Sequence, residues 1–121
     1  MNNFVVWFEI PVSNLDRAMK FYSKVMSVEL QSMDMGPSKQ ATFPFVPGVA
    51  SGALKESKES EPSAAGTMIY LNGGEDLSAP LARVEAAGGK IIKKKTGIGE
   101  NGFMAIFEDT EGNHVALHSR K

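Results

Sequence analysis

The chain has 121 residues, the size of one ordinary domain, and 42% of them are hydrophobic against 22% charged. This balance excludes a disordered or fibrous protein. The formal net charge of −1 leaves no basic surface for a nucleic-acid backbone, and the lack of cysteine excludes disulfides, thiolate nucleophiles and Cys-containing metal centres.

The amino terminus shows no features of an exported or membrane protein. The first three residues carry no basic group, and Glu9 interrupts the apolar run that follows. No apolar stretch approaches the roughly 20 residues of a membrane span. We therefore expect a cytoplasmic protein that binds neither membranes nor nucleic acids.

The chain begins with a predicted strand and a predicted helix. Residues 4–12 are aromatic and β-branched, and their even positions from Val6 to Ile10 form one apolar face of a strand. Ser13 is expected to be the helix N-cap. Apolar residues then recur at helical spacing over residues 15–26.

Three short strand-like runs complete the first half, near residues 29–33, 40–45 and 49–54. They are separated by Gly-Pro and Pro-Gly pairs, which are typical of turns. The polar stretch over about residues 55–66 has no apolar periodicity and predicts a linker.

The second half of the chain repeats the order of the first. Residues 67–72 predict a strand, and residues 77–87 predict a helix that is closed by Gly88 and Gly89. Further strands are predicted at residues 90–94, 103–108 and 114–118. This duplication predicts an α+β fold with two tandem modules in one domain, covering residues 1–121. Module one spans about residues 4–54 and module two about residues 67–119.

One helix covers only one face of a module's sheet, so the other face must meet the second module, a partner chain or a ligand. The residues predicted on that other face are Trp7, Glu9, Met68, Tyr70, Asn72, His114, Ala116 and His118. Such a mixed, partly polar surface is typical of a lined cleft.

Three segments resemble the vicinal oxygen chelate superfamily, which includes glyoxalase I, bleomycin-resistance proteins and extradiol dioxygenases. They are Phe8–Ala18 with Phe21 and Tyr22, Leu81–Gly89, and Phe107–His114. The resemblance implies paired βαβββ modules that form a cup-shaped, mostly antiparallel sheet with the helices on its outer face. It also implies a homodimer with the ligand in the cup.

The enzymes of this superfamily hold a divalent metal with His and Glu side chains from the first and last strand of each module. Trp7, about Ala53, Met68 and Ala116 occupy those positions here. None of these side chains is a ligand for such an ion, which needs imidazole or carboxylate groups. We therefore expect no metal at the usual site and no other cofactor. A divalent metal is compatible with the sequence only at a relocated site.

Glu9 and His118 each share a strand face with a lost ligand position. They are interpreted as a tentative catalytic pair for proton transfer, as a relocated metal site, or as structural hydrogen-bonding residues. Trp7, Met68 and Tyr70 are interpreted either as a stacking floor for a planar or apolar ligand or as packing between the modules.

Three other features are interpreted as structural. Residues 97–102 match the G-x-G-x-x-G pattern, but a strand follows them instead of a helix, so they predict a hairpin loop and not a dinucleotide site. The run from Lys93 to Lys95 is interpreted as a solvated edge-strand face. His114 is expected to be exposed beside its turn.

The sequence therefore predicts binding of a small organic molecule in the cup. The predicted ligand-binding residues are Trp7, Glu9, Met68, Tyr70, Ala116 and His118. One alternative is a metal-dependent lyase, isomerase or dioxygenase that uses Glu9 and His118. Another alternative is a non-catalytic interaction module.

Overall fold

Residues 3–121, which the computed structural model describes, form two successive groups of four strands and one helix. The first group contains β1 (Trp7–Pro11), α1 (Leu15–Met26), β2 (Gln31–Asp34), β3 (Lys39–Thr42) and β4 (Ser51–Glu56). The second contains β5 (Tyr70–Asn72), α2 (Ser78–Leu81), β6 (Lys90–Gly97), β7 (Phe103–Glu108) and β8 (His114–Ser119), with a short 3-10 helix at Gly99–Asn101.

The two groups form two four-stranded sheets with the same topology. The strand orders are β1-β4-β3-β2 and β5-β8-β7-β6. In each sheet the first strand runs parallel to the fourth, and the other pairings are antiparallel. The helices lie outside the sheets. This arrangement confirms the predicted α+β fold of two βαβββ modules.

Helix α1 follows the predicted periodicity, and its buried residues are Leu15, Ala18, Phe21, Tyr22 and Val25. Its N-cap is Asn14, whose side chain accepts a hydrogen bond from the backbone N–H of Arg17 at 3.0 Å. The prediction of Ser13 as the cap is wrong, because the helix begins one residue later than that cap requires and the Asn14 side chain makes the capping bond. The Ser13 backbone N–H instead donates to Glu111 from module two at 2.9 Å. No helix within residues 3–121 is long and apolar enough to cross a membrane.

One hydrophobic cluster draws side chains from both modules. Phe21 of α1 packs against Phe107 of β7 with ring centroids 5.7 Å apart, and Tyr22 lies 6.1 Å from the same ring. The Arg83 guanidinium donates to the backbone carbonyl oxygen of Val25 at 2.8 and 3.0 Å, which joins the two helical segments. Because burial of each aromatic ring contributes about 1.5–3 kcal/mol, this shared core is a major link between the modules.

The first predicted strand is shorter than expected. It begins at Trp7, which pairs with Ser51 at the start of β4, so residues 4–6 have no neighbouring strand. Val6 is 75% exposed and does not face the core, contrary to the predicted face. At the other end of the module, β4 extends through Lys55 and Glu56, two residues that the sequence predicts to be in the linker.

The second predicted helix is also shorter than expected. Only Ser78–Leu81 is α-helical, and turns continue from residue 82 to residue 88. Leu77, Leu81 and Val84 are nevertheless buried, so the apolar spacing identified the core-facing side. In this segment several backbone N–H groups donate to the carbonyl oxygen three residues earlier, which winds the chain more tightly than an α-helix does. The first of these carbonyl groups belongs to Pro80, which has no N–H of its own to donate.

Candidate functional site

A cavity of about 240 Å³, here called the seam cavity, lies where module one, the linker and module two meet. Its lining residues are Glu9, Ile10 and Pro11 from β1, Glu61, Ser63 and Gly66 from the linker, and Thr67, Ile69, Asn113, His114 and Val115 from module two. Three segments that are distant in sequence therefore build one concave site, in the manner of small-molecule pockets.

Two ionisable side chains on the strands line the seam cavity and have partners within the protein. The Glu9 carboxylate lies 3.7 Å from the Nζ atom of Lys55 on β4, and its side chain is 43% exposed. His114 Nε2 lies 3.0 Å from Glu108 Oε1 on β7. An ionised carboxylate only accepts, so Nε2 is the donor and the imidazole is held in one orientation. The rim thus presents a carboxylate and a positioned imidazole.

The other residues that line the seam cavity on the strands, or directly before β5, are apolar. Ile10 and Val115 are each 2% exposed and belong to the hydrophobic core. Ile69 is partly buried against that core, and Pro11 ends β1. The cavity therefore combines an apolar floor with a polar rim, which suits a small organic molecule with an apolar body.

Asn113 fixes the walls of the seam cavity. Its side chain accepts a hydrogen bond from the backbone N–H of Ser63 at 2.9 Å and donates to the carbonyl oxygen of Pro11 at 2.7 Å. It also donates to Asp109 at 3.0 Å. One buried amide therefore holds the linker and β1 against β8. Sequence reasoning missed this role, since only its place in the closing turn hinted at it.

The structure places Glu9 and His118 in different hollows. His118 lines a shallower hollow together with Tyr70 and Asn72, and its Nε2 atom donates to the carbonyl oxygen of Asn101 at 2.7 Å. That bond ties the loop before β7 to β8. Glu9 instead lines the seam cavity, as His114 does.

The expectation that His114 is exposed is wrong, because the side chain is only 23% exposed and is paired with Glu108. The cross-strand register places these two residues opposite each other on β8 and β7. This pairing depends on the strand register and could not be read from the turn alone.

The remaining predicted contact residues have different surroundings. Trp7 packs edge-on against Phe45 with ring centroids 5.6 Å apart, and 37% of Trp7 remains exposed. Met68 is also 37% exposed, whereas Ala116 is fully buried. Their roles as ligand contacts stay predictions.

The usual metal positions do not fit a divalent ion. Trp7, Ala53, Met68 and Ala116 offer no imidazole or carboxylate, and the two alanines have no exposed surface. Within residues 3–121, no group of three or more His, Cys, Asp or Glu side chains is arranged to hold a metal ion.

Solved structures share the fold of the chain. A variant of glyoxalase I from Zea mays has a TM-score of 0.76 at 22% identity, over 95% of this chain and 45% of the maize chain. A glyoxalase/bleomycin resistance protein from Albidiferax ferrireducens has a TM-score of 0.75 at 13% identity, over 98% of this chain and 100% of its own. An antibiotic binding protein from a Streptomyces species has a TM-score of 0.68 at 20% identity, over 100% and 99% of the two chains. The chain thus spans less than half of the maize protein.

Sequence comparison gives the family. A protein named as a glyoxylase-like domain-containing protein, from Didymella fabae, is 32% identical over 116 residues, which cover 93% of this chain and 90% of that protein. The model of the Glyoxalase/Bleomycin resistance protein/Dioxygenase superfamily matches residues 4–117. The chain therefore belongs to the Glyoxalase/Bleomycin resistance protein/Dioxygenase superfamily.

Proposed function

We propose that the chain binds a small organic molecule in the seam cavity. The observation that carries this proposal is the cavity itself, with its apolar floor from Ile10, Ile69 and Val115 and its polar rim from Glu9 and His114. The similar Streptomyces protein is described as antibiotic binding, which is consistent with this class of function. The lack of ligands at the usual metal positions favours binding over the metal-dependent reactions of the superfamily.

Ligand-dependent thermal stabilisation tests the proposal. A ligand that binds only the folded state raises the unfolding free energy by RT ln(1 + [L]/Kd), so a small-molecule library without added metal should contain compounds that raise the melting temperature. Thr67→Trp, at the cavity wall, should abolish this shift by filling the space. Ala64→Trp is the matched control, because Ala64 lies three residues before Thr67 in the adjoining linker but does not line the cavity.

The control makes the proposal falsifiable. If Thr67→Trp remains folded and the stabilising compounds still bind it as they bind Ala64→Trp, the seam cavity is not their site. If no compound in a broad library shifts the melting curve, the proposal is contradicted and the non-catalytic interaction module is favoured.

We also propose that two copies of the chain associate. Large apolar side chains are exposed before β1, at its first residue and in the loop before β4. They are Phe4, Val5, Val6, Trp7, Phe45, Val46 and Val49. The edge-on contact between Trp7 and Phe45 joins these two segments into one surface, here called the apolar patch. Exposed patches of this kind are typical of protein–protein contacts.

The cytoplasmic location expected from the sequence stays a prediction.

A further inference from the structure

The rim of the seam cavity carries more negative than positive charge. Glu9 and Glu61 both line the cavity, and Glu108 is paired with His114 at 3.0 Å. A cation near this rim is Lys55, whose Nζ atom is 3.7 Å from Glu9. The ionisable side chains that line the cavity are thus two carboxylates and one imidazole.

The two carboxylates that line the cavity are available to a ligand. The distance of 3.7 Å between Glu9 and Lys55 exceeds that of a hydrogen bond, about 2.7–3.2 Å, so this ion pair is loose. Within the described part of the chain, no hydrogen bond or ion pair engages the Glu61 side chain. In contrast, Glu108 is held by His114 at 3.0 Å.

The linker that carries Glu61 is attached to module two. The backbone N–H of Ser63, two residues after Glu61, donates to Asn113 at 2.9 Å, and a β-bridge between Ser57 and Ser60 closes a local turn just before Glu61. The bond from Ser63 holds this part of the linker at the cavity wall. The second carboxylate is therefore part of the built site.

We infer that the seam cavity takes a small organic cation, namely a protonated amine attached to an apolar group. Hydrogen bonds between an ammonium group and a carboxylate are roughly twice as strong as bonds between neutral groups. The apolar floor of Ile10, Ile69 and Val115 accepts the hydrocarbon part, and about 240 Å³ limits the ligand to a small molecule. An anion of the same shape would be repelled by Glu9 and Glu61. This inference rests on the proposed function, because it names the ligand class of the same cavity.

Three probes with the same apolar body and different charge test the inference: phenethylamine, phenylethanol and phenylacetate. Each is titrated into isotope-labelled protein, and affinity is measured from the NMR shifts of the Ile69 and Val115 amides. We expect phenethylamine to bind about tenfold or more tightly than phenylethanol, which is the range of a charge-assisted hydrogen bond. Phenylacetate should bind weakest.

Charge-neutralising variants show which groups are responsible. Glu9→Gln and Glu61→Gln should each weaken phenethylamine binding by about tenfold, so that the preference for phenethylamine over phenylethanol shrinks. Glu59→Gln is the matched control, since Glu59 is on the same linker and does not line the cavity. Unchanged amide spectra outside the cavity verify that each variant is folded.

The outcomes separate the inference from the proposed function. If phenylethanol or phenylacetate binds at the seam amides as tightly as phenethylamine, the cation inference is wrong and binding in the cavity stands. The cation inference is also wrong if Glu9→Gln and Glu61→Gln both bind phenethylamine as tightly as the unmodified chain does. If none of the probes shifts the seam amides, the cation inference is overturned, and the library screen decides separately whether the seam cavity binds another small molecule.

Discussion

Arg17 of α1 and Glu111 of the turn between β7 and β8 form an ion pair with two hydrogen bonds across the modules. Arg17 Nε donates to Glu111 Oε2 at 2.7 Å, and Nη2 donates to Oε1 at 3.0 Å. The backbone N–H groups of Ser13 and Asn14 also donate to Oε1, each at 2.9 Å. A carboxylate from module two thus accepts hydrogen bonds from backbone N–H groups at the start of the helix in module one, where its negative charge is also favourable. The same turn carries Asn113, so it sets both the module contact and the cavity wall.

Glu111→Gln should lower the free energy of unfolding by about 1–3 kcal/mol, because the side chain is fully covered and its charge-assisted bonds are weakened. Urea unfolding measures the change. Glu29→Gln, at an exposed position, should change stability by less than about 0.5 kcal/mol. Equal losses in the two variants would show that the pair between Arg17 and Glu111 adds nothing specific.

The stability of the protein should fall in acid partly through Glu111. Burial of the carboxylate opposes ionisation, but hydrogen bonds from Arg17, Asn14, Thr110 and Ser13 outweigh it and hold the Glu111 pKa at about 2, below the usual 4.5. Because the folded pKa is the lower one, this stabilisation is complete above about pH 4.5 and is lost as the pH falls towards 2.

Glu111→Gln should therefore lose less stability than the unmodified chain between these two pH values. Chemical unfolding at a series of pH values measures the difference. The variant still loses some stability in acid, because backbone and side-chain hydrogen bonds from Ser78 and Lys95 lower the pKa of Asp76 to about 2. Identical pH profiles for the two proteins would contradict the assignment.

Tyr22→Phe should destabilise the protein by about 1–3 kcal/mol. The Tyr22 hydroxyl donates to Asp109 Oδ2 at 2.6 Å inside the shared core, so the variant leaves a buried carboxylate with one bond fewer. Burial and the negative charge of Asp109 raise the Tyr22 pKa well above 10.0. Stability from this group is thus present below about pH 10 and lost as the pH rises further.

Urea unfolding at neutral and alkaline pH measures both effects. Tyr70→Phe is the matched control, because Tyr70 is 56% exposed and loses the same hydroxyl group at the surface. We expect less than about 0.5 kcal/mol from the control. If the two variants are equally stable, the bond between Tyr22 and Asp109 does not contribute.

Asn113→Ala should loosen the wall of the seam cavity. Loss of the bonds to Ser63 and Pro11 should cost about 1–3 kcal/mol and speed hydrogen exchange at the Ser63 amide. Phenethylamine binding should weaken as well. His118→Ala breaks a bond to the loop at Asn101 and should leave the Ser63 exchange rate unchanged. Unchanged exchange at Ser63 in Asn113→Ala would contradict this role.

Val46→Glu should convert a dimer of the chain into a monomer, because it places a charge within the apolar patch, where Val46 is 58% exposed. Analytical ultracentrifugation measures the mass, and circular dichroism verifies the fold. Ile92→Glu is the matched control, since Ile92 is 44% exposed on β6, outside the patch. A monomeric unmodified chain, or dimers of equal strength in both variants, would contradict association through the patch.

The order of the elements, the duplication and the family can all be predicted from the amino-acid sequence. The alternation of strands and the helical spacing are local patterns, so α1 and the last two strands lie close to their predicted ranges. Strand ends were less predictable because a strand needs a neighbour, and residues 4–6 have none. The second helix was overextended because apolar spacing alone does not distinguish an α-helix from the tighter turns after Leu81.

The candidate site was decided only by the tertiary structure. Glu9 was predicted from its strand face, but its neighbours in the seam cavity, Glu61 and His114, are far away in sequence. The separation of Glu9 from His118 depends on how the two sheets pack, as does the contact of Arg17 with Glu111, which lies 94 residues later. Side-chain contacts between modules follow from their relative orientation, which is set by the shared core and has no local signature in the sequence.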